Sequence, residues 1–184
     1  VASITLDLTG CVLLAVDLQT SLINAVEEGE RVLSRCEYLI RAFSSLGNTV
    51  ISTTQNASKL GPLAASTGSM VSPVFDKTSF SCWGDEEIRT YIWSLCPRQI
   101  VVCGAETHIC VSLTAQDLVR NGYEVAVCPD SVGASNLERH KLGMERMRDG
   151  GVVPIHSEAA VYELMGSSDH PKFREILELT KRLR

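Results

Sequence analysis

Short apolar runs rich in β-branched residues alternate along this chain with segments of helical periodicity, and that alternation restricts it to a sheet whose strands are joined by helical crossovers. The runs are Cys11 to Val16, Thr49 to Thr53, Gln99 to Cys103, Glu124 to Cys128 and Val152 to Ile155, each bounded by turn residues. Apolar residues at successive positions imply strands buried on both faces, the condition of a parallel sheet enclosed by two helical layers. A shorter sixth strand is expected near Val71 to Phe75, after the Gly- and Ser-rich stretch from Gly61 to Ser69.

Helical faces fill the gaps. Val32, Leu33, Cys36, Leu39, Ile40 and Phe43 line one side of a helix from Arg31 to Leu46, and Ile88, Ile92 and Leu95 do so from Asp85 to Leu95. Val111, Ala115, Leu118 and Val119 mark a helix that opens near Thr107, with Gly122 placed to cap it. Helices over Glu158 to Met165 and Pro171 to Leu183 close the chain. With right-handed connections these elements make a three-layer α/β/α sandwich around a mostly parallel, Rossmann-like sheet of about six strands. No internal repeat or linker divides residues 1–184, so a single domain is expected.

Composition removes several classes of function. Net charge is -5 and the basic residues are scattered, which argues against a nucleic-acid partner, because phosphates demand clustered Lys and Arg. The longest apolar runs fall well short of the ~20 residues that cross a bilayer, so no membrane partner is expected. Residues 1–10 lack the pattern of a secretory signal. The seven cysteines form no C-x-x-C pair, and Cys11, Cys103 and Cys128 lie within apolar runs, a usage that suits reduced thiols in a cytoplasmic setting.

Ligands of open α/β sheets bind outside the carboxyl ends of the strands, so the residues just past each strand carry the functional signal. The first strand ends in Asp17 and Gln19, the short one runs into Asp76 and Lys77, and the strand ending at Cys103 opens through Gly104 and Ala105 toward Cys110. A carboxylate, an amine and a thiol thus reach one edge. The carboxylate can take a thiol proton and the ammonium can hold the resulting ion, which makes Cys110 a nucleophile. Placed in the first turn of a helix, its pKa is expected to fall, and Asp17→Asn or Lys77→Ala should slow its alkylation. Taken singly, each residue has an ordinary use: Asp17 as a turn former, Lys77 on the surface, Cys110 in the core. Only their shared edge joins them.

The segments Leu14-Ala-Val-Asp-Leu-Gln19, Phe75-Asp-Lys-Thr-Ser-Phe80 and Gly104-Ala-Glu-Thr-His-Ile-Cys-Val111 resemble the isochorismatase-like cysteine hydrolases, and Ala115 to Gly122 and Val127 to Ser131 continue the likeness. The resemblance implies a catalytic triad of Asp17, Lys77 and Cys110 and a non-proline cis peptide between Ala105 and Glu106. It also implies an oxyanion hole formed by the backbone N–H groups of Glu106 and Cys110, in which a donor is worth roughly 2.7–4 kcal/mol. The nicotinamidase branch carries an Asp-x-His metal motif after its second strand, where this chain reads Thr53-Thr-Gln-Asn-Ala-Ser58, so neither metal nor cofactor is expected. The C-terminal stretches His156 to Met165 and His170 to Ile176 resemble the isochorismatase-domain subgroup. A small amide or related carbonyl compound is the implied substrate, in preference to isochorismate, a vinyl ether whose cleavage need not use a cysteine.

Gln19, Gln55, Phe80, Trp83 and Thr107 are the expected pocket walls, with Trp83 on a loop over the site. His108 is assigned a structural or intersubunit part, since neighbours on a helix point about 100° apart. Cys82 is the rival thiol, without a strand-to-helix turn to supply oxyanion donors, and Glu106 is expected to fix the turn by a hydrogen bond. The resemblance also implies a homo-oligomer, a dimer or a tetramer. Two alternatives keep the fold without hydrolysis: an interaction protein with a closed pocket, and a redox sensor built on Cys110.

Overall fold

A computed structural model describes residues 4–183. Six strands form one sheet: β1 (Cys11–Val16), β2 (Val50–Gln55), β3 (Val74–Lys77), β4 (Gln99–Ala105), β5 (Glu124–Gly133) and β6 (Val153–Pro154). Every pairing is parallel and the order is β3-β2-β1-β4-β5-β6. The chain builds outward from β1 on one side and then returns to build outward on the other. β1 and β4 therefore flank the point where the winding reverses, and the crevice at their carboxyl ends is the site that this topology provides.

The helices are α1 (Thr20–Ala25), α2 (Gly29–Leu46), α3 (Ala57–Leu60), α4 (Ala65–Gly68), α5 (Glu86–Leu95), α6 (Ser112–Arg120), α7 (Leu137–Asp149), α8 (Ser157–Met165) and α9 (Phe173–Lys181). They divide between the two faces because strand side chains alternate. Leu13, Ala15, Val101 and Cys103 pack with Cys36, Leu39, Phe43, Val161 and Ile176 on the α2, α8 and α9 side. Leu14, Val16, Ile100 and Val102 pack with Ile88, Ile92, Ala115, Leu118 and Met147 on the α5, α6 and α7 side. At roughly 1.5–3 kcal/mol for each fully buried large aliphatic side chain, these two layers supply the main driving force for folding.

The expected strands are all present, with shifts at the ends that matter. The short strand begins three residues later than its expected start, just after Pro73, which has no N–H to give a ladder, and it runs on to Lys77, which pairs with Gln55 of β2. β5 runs on past Pro129 to Gly133, absorbing an irregularity in its pairing with β4 between Val102 and Gly104. α7 and the short α1 stand where the periodicity gave no helix: Leu137-Glu-Arg-His-Lys is mostly polar, and Leu137 and Leu142 remain exposed. Gly104 explains how close β1 and β4 come. Its φ is +122°, and a Cβ there would lie 2.0 Å from the Val16 carbonyl oxygen, so any side chain would force the strands apart at the crevice.

Candidate active site

Asp17 leaves β1 with φ +52°, a conformation that Asp tolerates better than most residues and that turns its side chain off the strand line. Its backbone N–H still reaches Thr53 in β2 at 3.1 Å, so the carboxylate is anchored to the sheet. Ile51, Thr53 and Gln55 share one face of β2, as Phe75 and Lys77 share one face of β3, because strands repeat every two residues. On that face the Thr53 hydroxyl donates to Asp17 Oδ1 at 2.7 Å, and Lys77 Nζ donates to Asp17 Oδ2 at 2.7 Å. Lys77 Nζ also donates to Gln55 Oε1 at 2.6 Å and to the Phe80 carbonyl at 3.4 Å. Both partners of the ion pair are wholly buried.

Cys110 arrives from the other side of the crevice. The chain leaves β4 through a cis peptide between Ala105 and Glu106 and enters a wide helical turn, Thr107–Val111, that leads into α6. The Glu106 carbonyl accepts the N–H groups of Ile109 and Val111, and so it is the backbone of Glu106 that holds the turn. Cys110 is 6% exposed, with its sulfur 3.9 Å from Gln55 Oε1, the oxygen that also accepts from Lys77, and close enough to the Asp17 carboxylate to feel its charge. Asp17, Lys77 and Cys110 therefore converge.

The electrostatics differ from the expected ones. Burial pushes the Cys110 thiol up to about 12, the Asp17 carboxylate adds to the rise, and Lys77 only partly offsets it. Desolvation of the sulfur and the facing carboxylate outweigh the helical turn, whose field is worth at most about 2 kcal/mol. The resting site holds a neutral thiol beside a carboxylate–ammonium pair. Burial opposes the charge on Lys77, yet Cys82, Asp17 and Cys110 together raise its pKa. Cys82 lies on the same face, wholly buried and pushed up to about 11 chiefly by desolvation, with its sulfur 3.9 Å from the Thr53 hydroxyl. It is sealed behind the ion pair.

The expected wall residues separate into three groups. Phe80 is 58% exposed, and its backbone carbonyl accepts from Lys77 Nζ. Gln19 and Gln55 are buried with their amides engaged by protein partners: Gln19 holds the backbone of Gln55 and Gly61, and Gln55 holds Lys77 and the Thr78 carbonyl. Thr107 is buried and paired through Oγ1 with His140 Nδ1 at 3.1 Å. Trp83 is not on a loop over the site; it sits in a 3-10 turn, Cys82–Gly84, edge-on to Trp93 and Tyr123. Edge-to-face contacts of this kind add roughly 0.5–1.5 kcal/mol per pair beyond area burial, which gives the Trp83 ring a packing role although Trp93 remains exposed. His108 packs against α7, where a Cβ at Gly143 would come within 2.9 Å of its Cα.

Thr53 and His140 are contributors that the residue pattern did not single out. Thr53 could have been found from the period of β2, two residues before Gln55 on the same face; His140 could not, because α7 itself left no clear periodicity. A cavity of about 360 Å3 lies between α2, β5 and α7, lined by Arg31, Asp130 and Asn136 among others, and His140 on its wall pairs with Thr107 of the site. Among the described residues no group of three or more His, Cys, Asp or Glu side chains is arranged to hold a metal ion.

A parallel sheet wound in the order 3-2-1-4-5-6 between two helical layers, with a carboxylate, an amine and a thiol gathered at its reversal point, defines a Rossmann-like three-layer α/β/α protein. The isochorismatase domain profile matches residues 11–159, and the chain belongs to the isochorismatase family. It is 32% identical over 178 residues to isochorismatase family protein 2A of Dictyostelium discoideum, covering 91% of this chain and 88% of that one. It is 31% identical to isochorismatase domain-containing protein 2 of Xenopus laevis over 91% of this chain and 82% of that one. A secreted isochorismatase effector, Isc1, of Phytophthora sojae is 32% identical over 78% of this chain and 71% of its own length.

Solved structures agree on the fold. MAR1 ribonuclease from Caenorhabditis elegans superposes with a TM-score of 0.90 at 27% identity, covering 96% of this chain and 92% of that one. YcaC from Escherichia coli, described as an octameric hydrolase of unknown specificity, gives 0.86 at 20% identity over 100% and 99%. Among the described residues no helix is long and apolar enough to cross a membrane.

Proposed function

We propose that this protein is a cysteine hydrolase acting on a small amide or related carbonyl compound, with Cys110 as nucleophile, Asp17 as base and Lys77 as electrostatic partner. The observation that carries the reading is the wholly buried Asp17–Lys77 pair facing the Cys110 thiol. Taking two such charges out of water costs several kcal/mol per ion, and apolar residues of equal volume would stabilise the fold as well or better. Chemistry is the better reason to keep them.

In this mechanism the thiol is not ionised in advance. Asp17 accepts the Cys110 proton as the sulfur attacks the carbonyl carbon, and Lys77 keeps the carboxylate oriented and the site near neutral. The backbone N–H groups of Glu106 and Cys110 receive the oxyanion of the tetrahedral intermediate. Collapse breaks the carbon–nitrogen bond, the amine leaves with the proton from Asp17, and a thioester remains. Water, deprotonated by Asp17, then releases the acid and restores the thiol. Phe80 contacts the bound molecule, while Gln19, Gln55 and Thr107 shape the site from behind. A panel of primary amides and small acyl compounds, with Cys110→Ala as control, tests the reading: turnover lost in the variant supports it, and turnover that survives the variant sinks it.

The C. elegans relative's name raises a ribonuclease reading. The net charge of -5, with no basic stripe, weighs against phosphodiester substrates, and RNA left intact by protein that hydrolyses amides would settle the choice. A redox role for Cys110 is disfavoured by a thiol that stays protonated at neutral pH. A closed, non-catalytic pocket predicts no turnover at all. Assembly into a homo-oligomer and a cytoplasmic setting, the latter supported by seven free cysteines, remain part of the proposal.

A further inference from the structure

Lys77 offers three ammonium protons and meets three acceptors: Asp17 Oδ2 at 2.7 Å, Gln55 Oε1 at 2.6 Å and the Phe80 carbonyl at 3.4 Å. Of the two short contacts, the one to Asp17 brings charge and the one to Gln55 brings none. The Gln55 amide cannot flip without loss, because its Nε2 donates to the Thr78 carbonyl at 2.9 Å and a carbonyl only accepts. Oε1 is thereby committed to Lys77, and it also lies 3.9 Å from the Cys110 sulfur.

Gln55 is held in turn. Where Asp17 leaves the extended conformation, β1 stops pairing with β2, and the N–H and C=O of Gln55 lose their ladder partner. The Gln19 side chain takes over: its Oε1 accepts the Gln55 N–H at 2.7 Å, and its Nε2 donates to the Gln55 carbonyl at 3.2 Å and to the Gly61 carbonyl at 2.6 Å. Gln19 is wholly buried, and each of these contacts is to backbone. A side-chain amide has the donor and acceptor of a peptide group, so it continues the ladder for one more step.

Resting on the hydrolase reading above, we infer that Gln55 is a positioning residue that fixes the Lys77 ammonium against Cys110, and that Gln19 acts one step behind it by fixing Gln55. The neutrality of Gln55 is part of the role. A carboxylate of the same shape would accept the same hydrogen bond, but it would give the thiol a second negative neighbour and hold its proton more tightly.

The test uses the full chain and reads the thiol and the amine, not turnover. Iodoacetamide labelling of Cys110 is followed by peptide mapping against pH in the wild type and in Gln55→Glu. Labelling in the variant at about pH 8 is expected to slow roughly tenfold, the equivalent of one pKa unit. Gln55→Met, which removes the Lys77 acceptor without adding charge, is expected to slow labelling as well; labelling unchanged in Gln55→Met would mean that Gln55 only lines the pocket, which overturns the inference. Should Gln55→Glu fail to fold, NMR of the Lys77 Nζ protons in the wild type still decides. Slow exchange is expected of an ammonium with three fixed acceptors, and exchange at the rate of a surface lysine would overturn the assignment. Absence of amide turnover together with shifted labelling would reject the hydrolase reading and leave this inference standing.

Discussion

Cys110 keeps its proton in the resting site because it is buried and because it faces the Asp17 carboxylate. That relationship reverses an intuition drawn from the residues alone. If Asp17 served mainly to ionise the sulfur, its loss would slow alkylation. With Asp17 raising the thiol pKa, Asp17→Asn is expected to speed iodoacetamide labelling of Cys110 near pH 8, while turnover falls by about 10²–10⁴-fold for want of a base. Lys77→Met should slow labelling, since the ammonium is the group that favours thiolate. Labelling rates and turnover measured on the same preparations check both signs.

The Asp17–Lys77 pair gives a stability prediction. Lys77→Met leaves a buried carboxylate without its cation and is expected to cost about 3–5 kcal/mol in urea unfolding. The double variant Asp17→Leu/Lys77→Met should recover much of that loss, because the uncompensated charge is gone. A double variant as unstable as the sum of the single ones would show that the two groups do not depend on each other.

Buried thiols make the fold sensitive to alkali. Burial raises Cys110 and Cys11 to about 12 and Cys82 to about 11, against an ordinary value near 9. Between about pH 9 and pH 12 the unfolded chain has released protons that the folded chain still holds, so stability falls as pH rises. Urea midpoints measured from pH 8 to pH 11 should decline, and replacing Cys11 with Ala should flatten the decline.

Much of this architecture was legible in the residues. The runs at Cys11, Gln99 and Glu124 are apolar on both faces because the sheet is covered on both sides, and their ends place Asp17 and Cys110 at one edge. Lys77 was legible as a neighbour but not as a strand residue, since only the pairing of β3 with β2 shows that its side chain shares a face with Thr53 and Gln55. Residue types alone could not show that Gln19 and Gln55 spend their amides on protein groups, or that Trp83 turns toward Trp93 and Tyr123. Those are contacts between distant segments. The direction of the thiol shift was hidden for a related reason: burial depends on how the layers close over the sulfur.

The wall residues can be told apart by kinetics. Phe80→Ala is expected to raise KM severalfold with little change in unfolding free energy, because Phe80 is 58% exposed beside the site. Trp83→Leu should do the opposite, lowering stability by about 1–3 kcal/mol and leaving KM unchanged. Equal effects on KM would return Trp83 to the pocket.

The sulfur of Cys110 forming a bond to the substrate's acyl carbon is the claim that carries the rest. Rapid quench of the protein during turnover of a small amide or ester, followed by peptide mapping, should find a thioester on Cys110 that forms and decays with the reaction. Turnover with no acyl group on Cys110, or with one on Cys82 instead, would contradict it.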